Sequence, residues 1–209
     1  SSAASDVYKR QLLAHTVRAG KRTFKKGRLL SEADIADMAA EGVAEVTAVR
    51  LEPGDIGEDE AAERIAALLP GPGIRANVPF TGRVNLFAEH DGVLVIDRER
   101  LRRINLVDES ATVATLEPFA EVEAGQMVAT IKIIPFATTE AVLRRVENIA
   151  RSADRPMATV SAFVAKGASL IQSTLPSVKA SVLDKTVSIT EARLQQRGAR
   201  LLSERRCPH

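Results

Sequence analysis

From Ala168 onward the chain reads as strand, loop, helix, strand. The run "ASLIQST" is apolar and nearly continuous, as in a buried parallel strand. "PSVKASVLDKT" reads as a loop. A helix continues to about Arg197, where Gly198 ends it, and "ARLLSERR" is the next strand. This order constrains the fold more than any other feature of the sequence. A βαβ unit pairs its strands in parallel, crosses over right-handed, and offers ligands the rim beyond the strands' carboxyl ends. "SVLDKT" falls at that rim, at the entry to the helix, where backbone N–H groups favour an anion such as phosphate.

Three residues there are candidate ligand contacts. Lys185 can neutralise a phosphate, Thr186 can donate a hydrogen bond, and Asp184 lies beside them. A simpler reading makes Asp184 a helix N-cap or first-turn acid, which needs only the helix's own electrostatics. Leu183, Val187 and Leu194 fall near one stripe and should face the strands.

Upstream, "LLSEADIADMAAEG" predicts a helix capped by Ser31, with Asp34 three residues on and Gly42 past its end. Ile35, Met38 and Ala39 share a face. Val43 to Leu51 reads as a strand. Pro53-Gly54 marks a turn, and a helix from about Glu58 carries Ala61, Ile65, Leu68 and Leu69 on one stripe. Glu58, Asp59 and Glu60 crowd its first turn, where the helix dipole favours acids; a metal site built from them is the alternative. Residues 74–136 are β-rich, with one short helix in "DRERLRRINLVD". A small, twisted sheet or partial barrel is expected. "TTEAVLRRVENIARS" predicts a helix capped by Thr138 or Thr139, with Val142, Leu143, Val146 and Ile149 inward.

Asn85, Glu89 and Lys132 are polar residues within otherwise apolar strands. Asn85 and Glu89 share parity and so one sheet face. That face is either solvent-exposed or a polar pocket between domains, and Lys132 has the same two readings.

Composition narrows the function classes. Hydrophobic residues make up 45% of 209, enough for a core, and aromatics only 3%, so the core must be aliphatic. Base-stacking recognition of single strands, which needs aromatic faces, is not expected, and nucleic acid is not an expected partner. The formal charge is +2, yet Arg18 to Arg28 carries six Lys/Arg. That run reads first as a solvated loop or hairpin and second as a phosphate or nucleic-acid patch. Cys207 stands alone, so no internal disulfide can form, and three scattered histidines give no zinc-site spacing. No apolar run has membrane-spanning length and no signal peptide is evident, so a cytoplasmic protein without membrane contact is expected. Neither a P-loop nor G-x-G-x-x-G occurs, and no Ser–His–Asp or Cys–His set can be assembled. "SSAASDVYKRQ" differs sharply in composition from "LLAHTV" beyond it and reads as a non-native tail, residues 1–11.

The phrases "RVNLFAEHDGVLVID", "INLVDE", "VEAGQMVATIKIIPFA" and "SVLDKTVSITEARL" resemble bacterial molybdopterin-binding proteins of molybdenum cofactor biosynthesis. More closely, the chain resembles the long form fused to a cytidylyltransferase-like nucleotidyltransferase domain. The likeness runs from about Leu12 to His209. It implies an α/β protein with an α+β N-terminal region, residues 12–157, holding a small twisted β-rich module. The start of a three-layer αβα molybdopterin-binding domain would come next, at residues 158–209, truncated, with catalytic residues beyond His209. Asp184-Lys185-Thr186 takes the place of that domain's Asp–Ser/Thr–Asn motif and departs from it at the second and third positions. The implied ligands are molybdopterin or the molybdenum cofactor, with a nucleotide and Mg²⁺ in the intact protein; a homo-oligomer is a further expectation. Asp184, Lys185, Thr186, Asn85 and Lys132 are the substrate-binding candidates. The alternative is a non-enzymatic module that docks a molybdoenzyme.

Overall fold

Apolar and polar residues alternate through 83–88 and 127–133, and the backbone obeys that period. A computed structural model describes residues 11–208; residues 1–10 of the expected tail 1–11, and His209, lie outside the described residues, while Gln11 is part of a strand. Strands β6 (Ile74–Ala76), β7 (Arg83–Ala88), β9 (Ala111–Thr115) and β11 (Met127–Ile133) form an antiparallel sheet in the order β6-β7-β11-β9. Val84, Leu86, Ala88, Ile131 and Ile133 all point into the core. The pairing of β7 with β11 slips once, at a bulge between Met127 and Ala129, which bends and twists the strand locally.

Helix α2 (Glu58–Ala66) packs on β7 and β11 through Ala61 and Ile65, as its stripe predicts. Helix α3 (Arg98–Asn105) packs on β9 and on α4 (Glu140–Ala150), whose Leu143 and Val146 are buried and whose N-cap is Thr139. Arg64 of α2 donates to Glu140 at 2.6 Å and to Glu147 at 2.8 Å, joining α2 to α4. A second sheet runs β10-β8-β13, from Glu121–Val122, Gly92–Ile96 and Ala158–Ala162. Its β13 pairs antiparallel with β8 from Ala158↔Ile96 to Ala162↔Gly92. The segment 158–162 therefore belongs with the sheets that precede it, and the C-terminal unit begins later, near Gly167.

The N-terminal segment has its own small core of Leu13, Ala19, Phe24, Leu30 and Met38. Strand β1 (Gln11–Leu13) pairs with β4 (Ala48–Arg50), and β2 (Val17–Ala19) with β3 (Arg22–Phe24). The first part of the basic run, to Phe24, is thus a hairpin, and Lys25, Lys26 and Arg28 follow it. Helix α1 (Glu32–Ala40) has the expected capping box, with Asp34 N–H donating to Ser31 and Ser31 N–H to Asp34. Arg28 adds two bonds of 2.9 Å to the Asp34 carboxylate and, with Ser31, holds its pKa down at about 2. The expected strand Val43–Leu51 shrinks to Ala48–Arg50. Gly42 and Val43 donate to Ala39 and Met38 carbonyls, so helix termination consumes the start of that segment. Two short strands without a sequence signal, β5 (Asp55–Gly57) and β12 (Ala137–Thr139), pair just ahead of α2 and α4.

Glu58 joins these parts. It is buried at the first position of α2, between two glycines with positive φ. A Cβ on Gly27 would lie 2.8 Å from one Glu58 carboxylate oxygen, and one on Gly82 2.9 Å from the other. Burial raises the Glu58 pKa above the usual glutamate value, against the pull of Lys26 and with the push of Asp59. The native carboxyl therefore keeps its proton to higher pH than the unfolded one, and ionising it costs stability as pH rises through that window. Glu58→Gln is expected to gain stability relative to wild type as pH rises from about 4, near the ordinary glutamate value, to about 7. Urea midpoints at both pH values check this; parallel pH profiles would refute it.

The last unit is β14 (Gly167–Thr174), α5 (Ala180–Gln195) and β15 (Arg200–Pro208). Its strands pair in parallel from Gly167↔Arg200 to Thr174↔Pro208, as the sequence order requires. The molecule is thus mixed α/β, with five helices and several small, mostly antiparallel sheets among the described residues.

Candidate functional site

Sequence order brings the carboxyl ends of β14 and β15 to the start of α5, and a polar chain links all three. Gln172 of β14 is buried, and its amide donates to the Leu183 carbonyl at 3.2 Å and to the Glu204 carboxylate at 2.9 Å. Arg206 of β15 donates from Nε to Glu204 at 2.6 Å and from Nη2 to Asp184 at 2.5 Å. The bond from Arg206, and then that from Gln172, lower the Glu204 pKa; Asp184 first and Glu204 second raise that of Arg206. Asp184 thus sits near the C-terminal end of a parallel strand, largely exposed, with one of its oxygens bound.

Helix α5 starts earlier than the sequence suggests. Residues 180–186, expected as loop, are the first two turns of the helix. Lys179 occupies the N-cap and makes no side-chain cap bond. Asp184 is therefore neither N-cap nor first-turn acid but lies in the second turn. Thr186 spends its hydroxyl on the Val182 carbonyl at 2.9 Å, one turn back, which leaves its lone pairs but not its proton for a ligand. Lys185 is exposed on the helix surface. No Ser, Thr, Asp or Asn marks the helix start, which hides it in the sequence; Gly198, at φ +69°, marks the other end as expected.

Burial also differs. Only Gln172 of β14 is buried, although "ASLIQST" reads as an interior strand. Leu183 is buried, and Val187 and Leu194 half-buried, so α5 covers one face of the two strands. On the other face Ile171 and Leu202 are 70% and 65% exposed. Two strands and one helix make two layers, and the second face has no cover among the described residues.

The remaining candidates lie elsewhere. Asn85 of β7 pairs with Thr130 of β11, and Lys132 with Arg83. Asn85 accepts from the Thr130 hydroxyl at 2.7 Å, and its N–H donates to Asn77 at 2.6 Å. Lys132 is exposed and Asn85 half-buried on the open face of the four-stranded sheet. No hydrogen bond or ion pair among the described residues joins this face to Asp184, Lys185 or Thr186. The structure therefore divides the five residues into two groups.

A cleft of about 530 Å³ separates the C-terminal unit from the second sheet, lined by Asp91, Glu121, Glu123, Phe163 and Arg197. Arg197 bridges it, ion-paired to Glu121 and stacked 5.8 Å from the Phe163 ring centroid. Among the described residues no cluster of three or more His, Cys, Asp or Glu is placed to hold a metal, and no helix is long and apolar enough to cross a membrane.

The Gln172–Glu204–Arg206 chain has only a faint signal in the sequence. Glu204 and Arg206 alternate in a strand and so share a face, but nothing local says that Gln172 and Asp184 will meet them there. Comparisons of the chain with protein-family models, with curated proteins and with solved structures return no match.

Proposed function

We propose that this chain binds molybdopterin in molybdenum cofactor biosynthesis and presents it for nucleotidyl transfer or metal insertion. On this reading β14, α5 and β15 are the opening of a three-layer molybdopterin-binding fold. The observation that carries it is the parallel β14–β15 pair with Asp184 held by Arg206 at the strands' carboxyl end, where open α/β sheets take their ligands.

The chemistry of the rim suits the ligand. A pterin presents N–H donors on its pyrimidine edge, which an exposed carboxylate such as Asp184 accepts. Its phosphate is favoured at the start of α5, where the helix dipole and Lys179 are both positive. Lys185, one residue past Asp184, adds charge for the same anion. Arg206 has a positioning role: shared between Glu204 and Asp184, it fixes the acid's direction. Thr186 takes no part as a donor, its proton being used within the helix. In nucleotidyl transfer Mg²⁺ neutralises phosphate charge; the part assigned to this chain is binding.

Calorimetric titration with molybdopterin tests the proposal. Asp184→Ala and Lys179→Ala should each weaken binding by about 10-fold or more, the worth of one charge-assisted hydrogen bond. Wild-type affinity in both variants would remove this site. Binding that is unchanged there but is lost when residues of the 12–157 region are altered would favour a docking module instead.

A further inference from the structure

Only one of the six phenylalanines, Phe24, is buried. In a chain so poor in aromatics, the large apolar rings would be expected in the core. Instead Phe80 is 59% exposed with Lys25 over its ring at 5.3 Å, and Phe87 is half-buried with Arg75 at 5.0 Å.

The register puts these groups on one surface. Phe80 bridges to Arg83 across a tight turn whose two central residues, Thr81 and Gly82, have positive φ. Arg83 pairs with Lys132 on β11, and Arg75 of β6 pairs with Phe87 of β7. Residues 83, 85 and 87 share parity, so both clusters lie on the sheet face opposite the core. At ~3.3 Å per residue the two ends of that face are roughly 13 Å apart. Between them lie the side chains of Asn85 and Thr130. Lys25, Arg75, Arg83 and Lys132 have no ion-pair partner among the described residues.

We infer that this open sheet face, with Lys25 just past β3, binds single-stranded nucleic acid. Cations without carboxylate partners supply phosphate contacts, and the exposed Phe80 ring, with the half-buried Phe87, supplies stacking surface for bases. A small molecule is a poorer fit, because its sites are concave and bury most of the ligand, whereas this face is open across three strands. Aromatic residues are few, but Phe80 lies where a base can reach it.

Fluorescence anisotropy with a labelled oligouridylate of about 12 nucleotides tests this. Binding is expected at low salt. With three to four phosphate contacts it should weaken roughly 20- to 50-fold between 50 and 200 mM salt. The exposed double variant Arg83→Glu/Lys132→Glu should abolish it, and Phe80→Ser should weaken it by about 10-fold, the worth of one stacked base. Circular dichroism of each variant checks that the fold is kept. No binding by wild-type protein at 50 mM salt would overturn the inference. So would competition by polyglutamate at equal charge together with wild-type affinity in Phe80→Ser, a result pointing to an acidic protein partner.

Discussion

Replacing Arg100 by methionine lowers the unfolding free energy by about 3–5 kcal/mol, the cost of removing one partner from a buried ion pair. Arg100 is almost fully buried at the start of α3. Its Nε donates to Asp97 at 3.0 Å, Nη1 to the Ala150 carbonyl at 2.7 Å, and Nη2 to the carbonyls of Arg155 and Pro156 at 2.7 and 3.0 Å. One guanidinium thus ties the α3 N-terminus, the end of α4 and the segment leading into β13. Asp97 caps α3 through Arg100 N–H. Burial pushes the Asp97 pKa up, but the Arg100 and Arg155 contacts outweigh it and hold the acid ionised. Methionine fills the space but leaves three carbonyls without their donor and Asp97 with only Arg155 as counter-charge. Arg100→Lys should recover less than half of the loss, since an ammonium cannot reproduce a fork that serves four acceptors. Urea unfolding of the three proteins is the check. A loss below about 1 kcal/mol for Arg100→Met would show that water can stand in for the guanidinium.

Ile131→Ala should cost about 2–5 kcal/mol through lost burial and the cavity left behind. Ile131 is fully buried in the central strand β11, paired with Val84 on one side and Val113 on the other. With hydrogen-bonded strands flanking it, the backbone has little freedom to collapse into the void. Ile131→Val should cost about 0.5–1.5 kcal/mol at the same place. Ile171→Ala, on the uncovered face of β14, should stay within about 0.5 kcal/mol of wild type. Denaturation midpoints that failed to rank these three in that order would mean that the four-stranded sheet is not the main core.

Local features were readable wherever the chemistry itself is local. A serine three residues ahead of an acid makes the capping box at Ser31 and Asp34. A helical stripe at Ala61 and Ile65 buries those residues because the helix period leaves no choice, whereas Leu69, on the same predicted stripe, is buried beyond the helix end. Alternation does the same for Val84, Leu86 and Ala88. The order strand, helix, strand also implies the parallel pairing of β14 with β15, since a crossover connection returns the chain in the same direction.

Partner choice was not readable. That β13 completes the sheet of β8, that Gln172, Glu204, Arg206 and Asp184 meet at one rim, and that Arg100 finds three carbonyls some 50 residues away in sequence all depend on which surfaces remain to be covered once the helices have packed. The start of α5 is hidden for a related reason. Lys179 carries no capping side chain, and packing of Leu183 against β14 and β15 sets the helix's position where capping chemistry does not. Local hydrogen bonding and periodicity depend on neighbours within a few residues, which a sequence displays. Burial and ion pairing depend on neighbours in space, and for this chain only the tertiary structure decided who they are.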